Sequence, residues 1–190
     1  LSYGRIMAYT NYSYFPGKTS TKNTFLVHSK IPQTMNKIKK KEIVLILENI
    51  RSAENVGSIF RTADAVGVSK IYLVGYTPDP LDRFGKPQKG VAKASLGAEN
   101  TIPWEHFTTI TPLIKKLKKN DFEIVSLEQT SKSIPYTKYK PQKCALIVGN
   151  EVTGISKKAL SLSDVVIEIP MNGEKESLNV SVATGVALFQ

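Results

Sequence analysis

The spacing of apolar and polar residues changes at Glu42, and the change divides the chain. Residues 1–34 mix Tyr, Ser, Thr, Asn, Gly and Pro with neither a helical nor a strand period, so they read as irregular. From residue 42 the pattern alternates. Residues 43–47 form a continuous apolar run, the mark of a parallel strand buried on both faces. Val56, Ile59, Phe60, Ala63 and Val66 then share one face of a helix from about 55 to 66, which Gly67 can stop. A second strand follows at 71–74, and this order implies a right-handed crossover.

Residues 76–90 carry Pro78, Pro80, Gly85, Pro87 and Gly90 and predict a long loop; Asp82, Arg83, Lys86 and Lys89 there either contact a substrate or are simply solvated. A short helical stretch at 91–96 and a strand around Trp104 come next. The segment 110–119 predicts a surface helix whose Lys115, Lys116, Lys118 and Lys119 read as a solvated face. Residues 123–127, 145–148 and 165–169 are further buried strands, and 177–189 a closing helix with Ser177 as its N-cap. The alternation predicts an α/β fold, a mostly parallel sheet with helices on both sides.

Composition adds bounds. A chain of 190 residues supports one substantial core, so we expect a single domain over 42–190 preceded by an appendage over 1–41. Met35, just ahead of a Lys-rich stretch, would be a natural start for that domain. A single cysteine, Cys144, excludes an intrachain disulfide, and with His28 and His106 beside it there is no metal-ligand spacing; a reducing, cytoplasmic setting fits. No apolar run approaches the ~20 residues of a membrane span. The net charge of +10 is uneven: residues 1–41 hold eight basic and no acidic side chains, against 18 basic and 16 acidic in the rest. That first segment is either a poorly structured extension or a basic RNA-binding arm, and its Ser/Thr content is also compatible with a transit peptide.

Three motifs carry candidate chemistry, each where a strand ends or a helix begins: NIRSAENVGSIFRTA at 49–63, IVGNEVTG at 147–154 and IPMNGEKESLNVSVA at 169–183. Asn55 can cap its helix or point into a site. Arg61 lies four residues after Gly57, a spacing that leaves room for a ligand beside the guanidinium, while the dull alternative is a surface ion pair. Gly149, Asn150 and Glu151 place flexible backbone and a carboxylate at a strand's C-terminal end, where α/β sheets bind ligands; alone, they would be an ordinary turn. Ile169, Met171 and Leu178 flank backbone groups in a manner that suits an adenine ring. Asn179 is an unusual choice just inside a helix's first turn.

In this order the three motifs resemble the SpoU (TrmH-like) family of RNA ribose 2′-O-methyltransferases, within the SPOUT superfamily. The resemblance covers residues 42–190. It implies a C-terminal deep trefoil knot, S-adenosylmethionine bound in the knotted loops, and a homodimer in which Arg61 of one subunit faces the cofactor of the other. Its catalytic positions fall on Asn55, Arg61, Glu151, Ser177 and Asn179, and its cofactor pocket on Leu127, Gly149, Asn150, Ile169, Met171, Ser177 and Leu178. No metal is implied. Since guanidinium does not give up its proton in proteins, Arg61 is expected to bind phosphate and stabilise the developing alkoxide, with the phosphate or a Glu151 network helping to remove the proton. The chain stops at Gln190, where relatives often continue with further helix, and leaves no room for the separate RNA-recognition domain some relatives carry, so tRNA and rRNA both stay open as substrates. Two rivals stand beside this reading. A non-catalytic RNA-binding or assembly factor with the same fold should lack an Arg61 or Glu151 equivalent; a Rossmann-like enzyme should show G-x-G-x-x-G after the first strand. Neither condition is met.

Overall fold

The structure, a computed structural model, describes residues 41–189, so the expected extension over 1–41 lies, apart from Lys41, outside the described residues. Seven strands form one sheet: β1 (Glu42–Glu48), β2 (Lys70–Val74), β3 (Trp104–Phe107), β4 (Glu123–Leu127), β5 (Ile134–Pro135), β6 (Lys143–Val148) and β7 (Val165–Glu168). Every pairing is parallel, in the order β3-β2-β1-β6-β4-β7-β5. Successive strand residues face opposite sides. In β1, Leu45 and Leu47 enter one core while Val44 and Ile46 enter the other, which is why the run 43–47 is apolar at every position.

Five helices cover the two faces, as the alternation predicts. α1 (Ala53–Val66), α2 (Lys89–Ser95) and α5 (Val180–Leu188) lie on one, with Phe60, Val91 and Leu188 in its core. α3 (Ile110–Lys119) and α4 (Lys157–Leu162) lie on the other, where Leu113, Leu117 and Ala159 pack. The stop at Gly67 is as expected, in the left-handed region at φ 82°. Among the described residues no helix is long and apolar enough to cross a membrane, and Cys144 is a buried thiol whose removal from water pushes its pKa up to about 12.

Several expectations are corrected. The N-cap of α1 is Ser52, whose Oγ accepts from Asn55 N at 3.1 Å, so the Asn55 side chain does not cap. α5 begins at Val180 rather than 177; its N-cap is Asn179, whose Oδ1 accepts from Ser181 N and Val182 N, and Ser177 stands outside the helix. Gly57 leaves no room for a ligand, because a Cβ there would run into the backbone of Val91 and Ser95: its missing side chain admits α2. The pattern also omitted α4 and β5, which are too short to show a period.

Candidate active site

Strand order reverses direction beside β1: the chain runs outward through β2 and β3 on one side and returns to place β6 on the other. Loops leaving the C-terminal ends of neighbouring strands at such a point diverge and leave a crevice. Close to that point, beyond the C-terminal ends of β6, β4 and β7, lies a cleft of about 480 Å³, walled by the loop after β6 and by the segment between β7 and α5.

The first wall is held by carboxylates. Glu151 reaches back to the start of α1: Oε2 accepts from Arg51 N at 2.9 Å, and Oε1 from Ser52 N at 3.1 Å and Asn55 Nδ2 at 2.9 Å. A negative charge belongs there, since the first N–H groups of a helix have no partner inside it. Burial alone would raise the Glu151 pKa, but the bonds from Arg51, Asn55 and Ser52 prevail and hold it below the usual glutamate value. At the far end of the loop Glu48 accepts from Ser156 N at 3.0 Å and from Ser156 Oγ at 2.7 Å, and Glu128 accepts from Ile155 N at 2.9 Å. Glu48 is 3% exposed.

Asn150 knits the loop from within. Its Oδ1 accepts from Val152 N and Thr153 N, while its Nδ2 donates to Asn49 O and to Tyr76 Oη, both at 2.9 Å. Both of its side-chain polar atoms are thus engaged inside the protein, although the residue lines the cleft. Thr77 ties the neighbouring loop in the same way, accepting from Ile50 N at 3.0 Å and donating to the carbonyl of Leu47 or Val74.

The second wall is looser. Residues 169–179 lie outside any helix or strand, and Gln129 Nε2 donates to Glu176 O at 2.9 Å. Ile169, Met171 and Leu178 face the cleft together with Leu127, and Ser177 and Asn179 line it as well. Asn179 Nδ2 donates to Asn55 Oδ1 at 3.1 Å. Glu151, Asn55 and Asn179, one from each motif, are therefore joined in a single hydrogen-bonded row.

Ten of the eleven site residues named from the sequence are gathered here: nine line the cleft and Asn55 borders it through its bonds. Arg61 is not brought in. It is exposed on α1, outside the lining, and makes no side-chain hydrogen bond or ion pair among the described residues. Sequence reasoning also passed over Glu48, Thr77 and Glu128, which hold the walls. A carboxylate closing an apolar strand run, as Glu48 does, was the available signal.

Residues 42–189 match the family model described as the SpoU rRNA Methylase family. The chain is 29% identical over 163 residues to the 23S rRNA (guanosine-2'-O-)-methyltransferase RlmB of Neisseria meningitidis, a match covering 86% of this chain and 63% of that protein. With the Xylella fastidiosa protein of the same name it is 33% identical over 148 residues, covering 78% and 57%. The AdoMet-bound rRNA methyltransferase of Sinorhizobium meliloti superposes with a TM-score of 0.69 at 29% identity, over 79% of this chain and 55% of that one. The chain thus spans less than two thirds of the length of these relatives.

Proposed function

From the premise that this chain belongs to the SpoU rRNA methylase family, we propose that it transfers a methyl group from S-adenosylmethionine to a ribose 2′-OH of tRNA or rRNA. The observation that carries the reading is the Glu151–Asn55–Asn179 row, which draws three sequence-distant motifs to one cleft.

The cleft fits the cofactor. Its volume lies within the range of small-molecule sites, and Leu127, Ile169, Met171 and Leu178 offer apolar contact beside peptide groups that belong to no helix or ladder. Its charged lining among the described residues is acidic: Glu128, Glu151, Glu168 and Glu176, with no Lys or Arg. Such a lining favours a cation and repels phosphate. When bound, S-adenosylmethionine supplies a methyl group on a positively charged sulfonium. The protein's share is mainly positioning the ribose oxygen in line with that methyl.

Glu151 serves as a clamp rather than as a base. A carboxylate whose two oxygens already accept three hydrogen bonds, and whose pKa is held low, is a poor proton acceptor near neutrality. Ser177 and Asn179 hold the approach to the ribose. Arg61 binds the adjacent phosphate and stabilises the developing alkoxide, and it does so in the cleft of a second copy, because it stands outside its own. Exposed Leu178, Val182 and Phe189 on and beside α5 support such a homodimer, since a helix apolar all round needs a cover. A knot is supported by the strand order: β7 lies between β4 and β5, so the 128–133 connection crosses a position that the chain fills only later. A cytoplasmic setting completes the reading.

The test is transfer of labelled methyl to total tRNA and to rRNA separately, with nucleoside identification. A 2′-O-methylated nucleoside from one pool is expected. Arg61→Ala should lower turnover at least about 100-fold, the scale of one lost transition-state donor, with the fold and cofactor affinity intact. Mixing it with Asn179→Ala should restore activity in heterodimers. Unchanged turnover in Arg61→Ala removes the assigned role, and no rescue on mixing argues against sharing between subunits.

A further inference from the structure

The cleft's own charged lining is acidic, so beyond the one phosphate assigned to Arg61 an RNA chain needs another surface to hold it. The loop between β2 and α2 offers one, and its construction is specific. Leu81 and Pro87 bridge as an antiparallel pair, Asp82 N donates to Lys86 O at 2.8 Å, and Gly85 N donates to Asp82 O at 2.9 Å. The Asp82 carboxylate binds the tip from inside, with Oδ1 accepting from Phe84 N at 2.8 Å and from Lys86 N at 2.9 Å. The result is a small preorganised hairpin, and at its tip Phe84 is 71% exposed.

A single exposed aromatic is ordinary on a protein surface, but Phe84 is held out by a braced turn, with Leu81, 43% exposed, at the same hairpin. Its surroundings say what would cover it. The Arg83 guanidinium lies 4.7 Å from the Phe84 ring centre, and Arg83, Lys86 and Lys89 form no ion pair among the described residues. The carboxylates of the same loop are bonded within the protein: Asp82 accepts from the turn's own amides, and Asp79 Oδ1 lies 2.6 Å from His106 Nδ1. Three cations, Arg83, Lys86 and Lys89, stand against two carboxylates in residues 76–90, so the balance is positive. On α3 the pairing is mixed: Lys116 is paired with Glu105 and Lys118 with Asp164, while Lys115 and Lys119 form no ion pair among the described residues and have no exposed aromatic beside them. The hairpin base is also coupled to the cleft, because Tyr76 Oη accepts from Asn150 Nδ2, inside the loop that carries Glu151.

We infer that the 81–87 hairpin is an RNA-reading element in which Phe84, backed by Arg83, stacks on an unpaired base of the substrate while Lys86 and Lys89 meet its phosphates. Aromatic faces and unpaired cations together are what single-stranded RNA recognition requires. The inference rests on the RNA-methyltransferase reading and names how that substrate is held. It also predicts a preference for target nucleotides in loops over those in duplex.

The experiment compares binding of a fluorescein-labelled single-stranded oligoribonucleotide of mixed sequence and of a blunt RNA duplex to the wild type and to Phe84→Ala, Phe84→Leu and Phe84→Trp, together with methyl transfer to the RNA pool. Phe84→Ala and Phe84→Leu are expected to lose roughly 5- to 100-fold in single-strand affinity and to raise the RNA KM alike, the effect of one lost stack. Phe84→Trp should retain both, and S-adenosylmethionine affinity should not change. Wild-type affinity in the Ala and Leu variants overturns the inference. So does full rescue by Leu, or a change of oligomeric state in Phe84→Ala, either of which would mark a protein-docking surface. An active enzyme indifferent to Phe84 fells this inference alone; a wild type that binds the strand through Phe84 but methylates no RNA fells the catalytic reading alone.

Discussion

The two walls of the cleft are built on opposite principles. The loop 149–156 is over-determined: three carboxylates, from β1, from the end of β4 and from the loop itself, accept from its own amides or from the start of α1. The segment 169–179 has the Gln129 bond to Glu176 O and the Asn179 bond to Asn55, and most of its residues are exposed. Local stability follows the density of such ties, so the first wall should be set before a ligand arrives and the second should take its final form around one.

Gly149→Ala should break the contrast most severely. A Cβ there would run into the backbone of Gly154 and Ile155, which cannot yield, so a loss of about 3 kcal/mol is expected in denaturant unfolding. Gly154→Ala, at φ 68° and against the end of the Glu128 side chain that accepts from Ile155 N, should cost about 1–2 kcal/mol; a neutral result at either position would show that the loop is not the rigid wall.

Glu151→Gln keeps the shape but removes the charge and puts an NH₂ where an acceptor stood. A loss of about 1 kcal/mol in stability is expected, with cofactor affinity roughly tenfold weaker in calorimetry. The same clamp should be visible as a titration. Because the Glu151 pKa is lower folded than unfolded, its contribution is fully present above the ordinary glutamate range and is lost as pH falls through the depressed value. The Arg51 and Ser52 amide resonances should therefore stay constant near neutrality and shift together only in acid; a midpoint at or above the usual glutamate value would contradict the clamp.

The smallest effect on stability belongs to Gln129→Ala, expected below about 0.5 kcal/mol because the site is exposed. Its readout is hydrogen exchange. Amides of 170–178 should exchange faster in the variant and slow on addition of S-adenosylmethionine, while those of 150–156 remain protected throughout. Equal protection of the two walls in the ligand-free protein would erase the distinction drawn between them.

Much of this was legible along the chain. Helix α1 follows from Val56, Ile59, Phe60 and Ala63 on one face and a glycine stop, and the strands from short apolar runs, because a sheet covered on both sides imposes those patterns locally. The start of α5 was not legible. Ser177 and Asn179 are comparable caps by residue type, and the choice is made by Asn179 bonding across to Asn55. Gly57 misled for a related reason: a glycine that admits a ligand and one that admits another helix look alike in sequence, and the backbone of α2 decides. Helix α4 buries Ala159 and is fastened by Ser156 to Glu48, an attachment made over 108 residues of sequence.

By itself the sequence determined the alternating elements, the two-sided burial of the sheet and the side-chain types offered at the three motifs, since these depend on local period and on composition. Tertiary structure decided which of those residues meet. It joined Glu151 to Asn55 and Asn179, committed the amide of Asn150 to the protein's own interior, and left Arg61 outside its own cleft. The reason is that hydrogen bonding and exclusion act through space, at about 3 Å, and neither range nor direction can be read from distance along the chain.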